Sequence, residues 1–235
     1  MLRGILYCIL GLTLALGTAA AQIRVEALSP NELQVRKWND FVDKLYALHG
    51  QQVSGREINE ESRVGGYHRY PEFFEEVSYI DKATDRMVSK IQWERDTDPR
   101  LLQRIVSLWS DTPAPRERER LHSIEVYIYD EQGRVTRDYS ATYLPTHRNA
   151  PIQTLVALHG YIDDLHAFRS FDASGNLLYE VCRGTHGGEK VDISMDEDAM
   201  ITAREAPDSA MKTPTYLACF SNVPETPGDY HESPR

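Results

Sequence analysis

From His122 to Gly184 the chain changes between two hydrophobic rhythms. Ile124, Val126 and Ile128 are separated by Glu125, Tyr127 and Tyr129, a period of two that turns one set of side chains to a buried sheet face and the other away from it. This predicts a strand over 123–130. Glu131, Gln132, Gly133 and Arg134 follow, with a glycine where a tight turn needs positive φ, and Val135 to Leu144 returns as a second strand that Pro145 ends. Asn149 and Pro151 then read as the start of a short helix, in which Ile152, Leu155, Val156 and Leu158 recur at steps of three and four until Gly160. A second hairpin, 165–172 with 176–182, turns on Asp172, Ala173, Ser174 and Gly175, the same turn chemistry as Asp130 to Gly133.

The same grammar extends upstream. Residues 75–80 and 87–93 alternate around a polar turn at 81–86, and Leu101, Leu102, Ile105, Val106 and Trp109 follow Pro99 at helical spacing. The order hairpin, helix, hairpin, helix, hairpin predicts an α+β fold of diverged ββα-like units, a largely antiparallel sheet of about six strands half covered by helices. Ser29, Pro30, Asn31 and Glu32 form a capping box, and Leu33, Trp38, Phe41, Val42, Leu45 and Leu48 carry a helix to Gly50, to be laid across the sheet. Residues 51–66 are polar and punctuated by glycine, so they read as a linker or mobile loop, and Thr185 to Gly188 reads as a flexible loop. Ser194 with Glu197 reads as a capping box for a short helix through Met200 and Ala203. Asp192, Ser194, Asp196 and Asp198 are spaced like the first ligands of a calcium loop, but glycine is missing at the sixth position and Ala203 stands where a bidentate glutamate belongs.

Composition changes this picture in three ways. Met1 to Ala21 has one basic residue, an apolar run from Ile5 to Leu16 and small residues at Ala19 and Ala21, the layout of a secretory signal peptide. The run is shorter than the ~20 residues that span a bilayer, so no stable membrane span is expected after cleavage. The expected organisation is therefore a signal peptide at 1–21, a single α+β domain at 22–219 and a disordered tail at 220–235, where Pro224, Pro227, Gly228 and Pro234 gather. A periplasmic or secreted location follows. Secondly, 41% hydrophobic content is enough to bury a core, which excludes wholesale disorder. Thirdly, a formal net charge of -10 repels phosphate backbones and disfavours nucleic acid as a partner.

Without the leader two cysteines remain, Cys182 and Cys219, and in an oxidising compartment they are expected to form a disulfide. A paired metal site or two free buried thiols are the alternatives, and neither has a Cys-x-x-Cys spacing behind it. Candidate chemistry is sparse. Tyr67, Arg69 and Tyr70 crowd around Pro71 with His68, Phe73 and Phe74, a composition common in binding hot spots and equally in core aromatics. Tyr127 and Tyr139, with Tyr129, Asp138 and Tyr143, read as a polar aromatic sheet face able to stack and hydrogen-bond. His159, Asp163 and His166, beside Asp164, could hold zinc or run acid and base chemistry, although turns ordinarily want aspartate and a helix end favours histidine. No nucleophile elbow, zinc helix or phosphate-binding glycine loop is present, so no cofactor is expected. The reading that follows is an exported, non-enzymatic binding module of the cell envelope, its partner a protein or a glycan. The alternative is a metal-dependent hydrolase using residues 159–166.

Overall fold

The computed structural model describes residues 30–67, 70–95, 121–143, 152–206 and 209–228, with the side chains of 30–35, 67, 70, 71 and 152 excluded. Helix α1, Pro30–Val53, leads into nine strands: β1 Ile58–Tyr67, β2 Tyr70–Asp81, β3 Arg86–Glu94, β4 Leu121–Tyr129, β5 Val135–Tyr143, β6 Ile152–Ile162, β7 Leu165–Phe171, β8 Leu177–His186 and β9 Glu189–Asp196. Helix α2, Glu197–Glu205, a 3-10 turn at Ala210–Lys212 and helix α3, Pro214–Phe220, complete the elements of the described residues. The strands lie in sequence order in one sheet, each antiparallel to the next. The fold is thus α+β, as a long meander.

Three of the nine strands correct the sequence reading. The segment read as a linker holds β1, the segment read as a helix from Ile152 is β6, and the acidic run from Asp192 lies in β9. In β6 the apolar residues are not confined to one face, so they fall at helical steps: Val156, Ala157 and Leu158 are all buried. The ββα repeat therefore loses its second helix, and the segment read as its first, 101–109, lies outside the described residues. Helix α1 continues through Gly50 to Val53, and α2 is capped by Asp196, which accepts from the Ala199 amide, because Ser194 is still in the sheet.

Register sorts the side chains into two faces. Ile124, Val126, Tyr139, Ala141, Val156, Leu158, Ala167, Phe171 and Cys182 are cross-strand neighbours on one of them, and they share a core with Trp38, Phe41, Val42, Leu45 and Leu48 of α1. Helix α1 meets β3 to β6, while α3 meets β6 to β8. His49 ties α1 down, its Nδ1 2.8 Å from Ser89 Oγ and its ring edge-on to Tyr79.

The C-terminal segment closes the same face. Cys182 in β8 and Cys219 in α3 are joined, with Cα atoms 6.0 Å apart. Beneath them Arg169 Nε donates to Glu180 at 2.7 Å, Tyr216 donates to the same carboxylate at 2.6 Å, and Arg169 Nη1 donates to the Val223 carbonyl at 2.6 Å. Gly160 lets this turn sit close, since a Cβ there would be 2.3 Å from Asn222 Oδ1. Where disorder is expected from residue 220, Phe220 and Val223 are buried, because they cover the apolar ends of β6 to β8. Residues 229–235 lie outside the described part.

Candidate functional site

All the helices described so far pack on one face of the sheet. The opposite face, here called outer, is organised by the same register. Because Tyr139 and Ala141 point inward, Asp138 and Ser140 point outward, and Tyr127 stands directly opposite Asp138. On β3 and β4 Lys90 opposes Glu125, and their side chains meet at 2.9 Å. Tyr127 donates to the other oxygen of Glu125. Burial, and then this carboxylate, push the Tyr127 phenol well above its ordinary value, so it remains a donor through the physiological range.

On β5 to β7 the row continues with histidines. A two-residue turn at Asp163 and Asp164 pairs Tyr161 with His166 and His159 with Phe168, which sets the two imidazoles on a diagonal. His159 Nε2 lies 2.6 Å from Asp138 Oδ2, and His159 Nδ1 lies 2.9 Å from His166 Nε2. The rings are within 13° of one plane with centroids 5.2 Å apart, so they meet edge to edge. The carboxylate can only accept, which assigns the His159 proton to Nε2. With His159 carrying that proton alone, its Nδ1 accepts from His166 Nε2, and His166 Nδ1 is left as an acceptor. Tyr161 stacks on His166 at 4.6 Å and 5°, holds its hydroxyl on the Val135 carbonyl at 3.0 Å, and has the Arg134 guanidinium over its ring, 4.6 Å from the centroid. Burial, followed by the neighbouring His159, lowers the His166 pKa, so the ring is neutral at pH 7.

A second ladder crosses β1 to β4 on the same face. Arg63 and Gln92 both donate to Glu76, which is buried, and Ser123 donates to Gln92 at 2.7 Å. The outer face therefore presents fixed, mutually bonded polar groups.

The sequence candidates divide clearly. Tyr127 lies on the outer face, but Tyr139 is 2% exposed in the core, because residues of opposite parity on paired strands share a face here. Tyr143 is buried as well. Tyr67 and Tyr70 pair at the tip of the β1–β2 hairpin; their side chains, and the whole of Arg69, lie outside the description. His159 and His166 meet, whereas Asp163 sits exposed in the turn at φ 49°. Among the described residues no group of three or more His, Cys, Asp or Glu side chains is placed to hold a metal ion. Asp138, the partner of His159, escaped the sequence reading of the cluster, since only the strand assignment of β6 brings it near.

A cleft of 760 Å³ lies on the helical side, between β7, β8 and α3, with Arg169, Glu180, Tyr216, Met211 and Phe220 in its walls. Its buried charges already serve one another, so it carries less chemistry than its size suggests. The sequence offered no sign of this network, which needs the β7–β8 pairing of Arg169 with Glu180. Compared with protein-family models, curated proteins and solved structures, the chain matches none.

Proposed function

We propose that this chain is an exported binding module that takes a protein or glycan partner on the outer face of its sheet. The observation that carries the reading is the division of faces. Every described helix that meets the sheet's hydrophobic face leaves the row Lys90, Glu125, Tyr127, Asp138, His159 and His166 on the other side. Such a row offers planar groups for stacking and, at His166 Nδ1, a fixed acceptor at low entropic cost. The joined cysteines suit an oxidising compartment, and no described helix is long and apolar enough to cross a membrane.

A photo-crosslinking residue at position 127 tests it in the exported fraction, with position 37 on the helical side as control. Adducts from 127 that disappear on His166→Ala support the reading. No adduct, or equal yield from 37, removes it. The hydrolase alternative keeps its two imidazoles, which meet each other, but its carboxylate Asp163 stands exposed in the turn. One chelator-sensitive metal per chain by native mass spectrometry, lost in His159→Ala, would put that reading first.

A further inference from the structure

The two edges of the sheet are treated differently. At one edge, α2 follows β9 directly and packs on β9 and β8. At the other, β1 runs for ten residues, and among the described residues nothing pairs with its outer side. Edge strands are usually kept short or guarded by proline, lysine or a bulge, because their unpaired amides and carbonyls template another strand. Strand β1 has no proline or lysine, and its one irregularity lies at its far end, between Gly65 and Tyr67.

We infer that this edge is an interface, and that its occupant is the β1 strand of a second copy, paired antiparallel about Ser62. Opposite-charge pairing within the strand decides the register. A two-fold axis normal to the sheet keeps like faces together, so only residues of the same face can oppose one another. Centring the axis on Glu61 or on Arg63 sets like charges face to face. Centring it on Glu60 does the same. Centring it on Ser62 places Glu61 against Arg63 of the other copy twice and Glu60 against Val64 twice, with no like charges opposed. Both members of the ion pair are available: Glu61 is exposed, and the Arg63 side chain is 71% exposed even while it donates to Glu76. Val64, 52% exposed in one copy, would gain the stem of Glu60 as cover. Matched pairing runs from Ile58 opposite Gly66 to its symmetry mate and stops where the bulge bends the strand away. The outer faces of the two copies would then lie side by side as one surface, a geometry that does not depend on what that surface binds.

The register makes the test sharp. Directly opposed residues have Cα atoms about 4.5–5.5 Å apart, which suits a disulfide. Ser62→Cys should therefore cross-link to a covalent dimer on mild oxidation, Val64→Cys alone should not, and a mixture of Val64→Cys with Glu60→Cys should. Glu61→Arg should turn the unmodified dimer into monomer by analytical ultracentrifugation. Adding Arg63→Glu to the same chain should restore it, by exchanging the members of each pair. A wild-type protein that is monomeric at 100-fold dilution and at its highest soluble concentration alike, or Val64→Cys that cross-links as readily as Ser62→Cys, would overturn the inference. Because Arg63→Glu also removes a partner of Glu76, the cysteine series decides if that variant fails to fold.

Discussion

Replacing Glu180 by alanine tests the account of how the C-terminal segment is held. The Glu180 side chain is 2% exposed and accepts from Arg169 Nε at 2.7 Å and from Tyr216 at 2.6 Å. Its removal leaves a guanidinium, itself 10% exposed, with the Val223 carbonyl and the Tyr216 hydroxyl as its bonded partners but no counter-charge, and leaves that phenol without its acceptor. Breaking a buried ion pair from one side costs roughly 3–5 kcal/mol, mostly as the penalty of the charge left behind. Two features pull toward the lower end. The guanidinium lies 5.1 Å over the Phe220 ring, worth roughly 0.5–2 kcal/mol, and the adjoining cleft can admit water to it. The expected loss is about 3 kcal/mol by urea unfolding of the oxidised protein at pH 7.

The comparison that refutes the reasoning uses both partners. Arg169→Met with Glu180→Leu removes the charge together with its counter-charge, so it should cost less than Glu180→Ala alone, about 1–2 kcal/mol for the stranded Tyr216 hydroxyl and Val223 carbonyl. Tyr216→Phe alone should cost about 1 kcal/mol. If the double variant were as unstable as the single one, or Glu180→Ala cost under about 1 kcal/mol, the network would not be what secures α3.

Three further outcomes follow from the same structure. Serine at both Cys182 and Cys219 should lower stability by about 4 kcal/mol in the loop-entropy account, and should render Arg204 and Lys212 sensitive to trypsin before the rest of the chain; unchanged cleavage would separate the disulfide from the docking of α3. Gly184→Ala should cost at least about 1–3 kcal/mol, because φ there is 141° and the new Cβ would lie 1.9 Å from the Asp164 carbonyl oxygen, with intact stability in denaturant as the refuting result. Burial lowers the His49 pKa, so the unfolded chain binds more protons just below pH 6.5, and His49 costs stability as pH falls from about 6.5 toward its folded value; His49→Gln should flatten that limb of the stability curve, and a parallel curve would refute it.

The strands that were legible in the sequence share one property: a single covered face. Ile124, Val126 and Ile128 are buried while Glu125 and Tyr127 are half-buried, and this contrast is what a period of two records. The strands that were misread lack the contrast or hide it. Strand β6 carries buried apolar residues on both faces, Ala157 on one and Val156 and Leu158 on the other, which leaves only the spacing of its largest residues, and that spacing imitates a helix. Strand β1 is an edge with polar residues on both sides, so nothing in Asn59 to Arg63 announces a sheet. In β9 the alternation is present, since Val191 and Met195 are buried and Asp192 and Asp196 exposed, but the spacing of its acidic residues imitates a calcium loop. The site inherits these errors. With β6 taken as a helix, His159 has no cross-strand neighbours, and neither Asp138 nor the stacking of Tyr161 on His166 can be anticipated.

The bonding along the outer face also limits how it can recognise anything. Glu125 is shared by Lys90 and Tyr127, Glu76 by Arg63 and Gln92, and both nitrogens of His159 are occupied. A partner that competed for these groups would have to replace bonds already made, gaining little. Tyr161 is engaged by Arg134 and by His166, so it positions its neighbour rather than meeting a ligand. What stays unspent in the histidine row is the acceptor at His166 Nδ1, whose availability follows from the tautomer that Asp138 imposes through His159. Recognition at this end of the face should therefore depend on Asp138 without contact to it. Asp138→Asn, which can donate to His159 Nε2 and so move its proton to Nδ1, would reverse the direction of the His159–His166 bond and turn that acceptor into a donor.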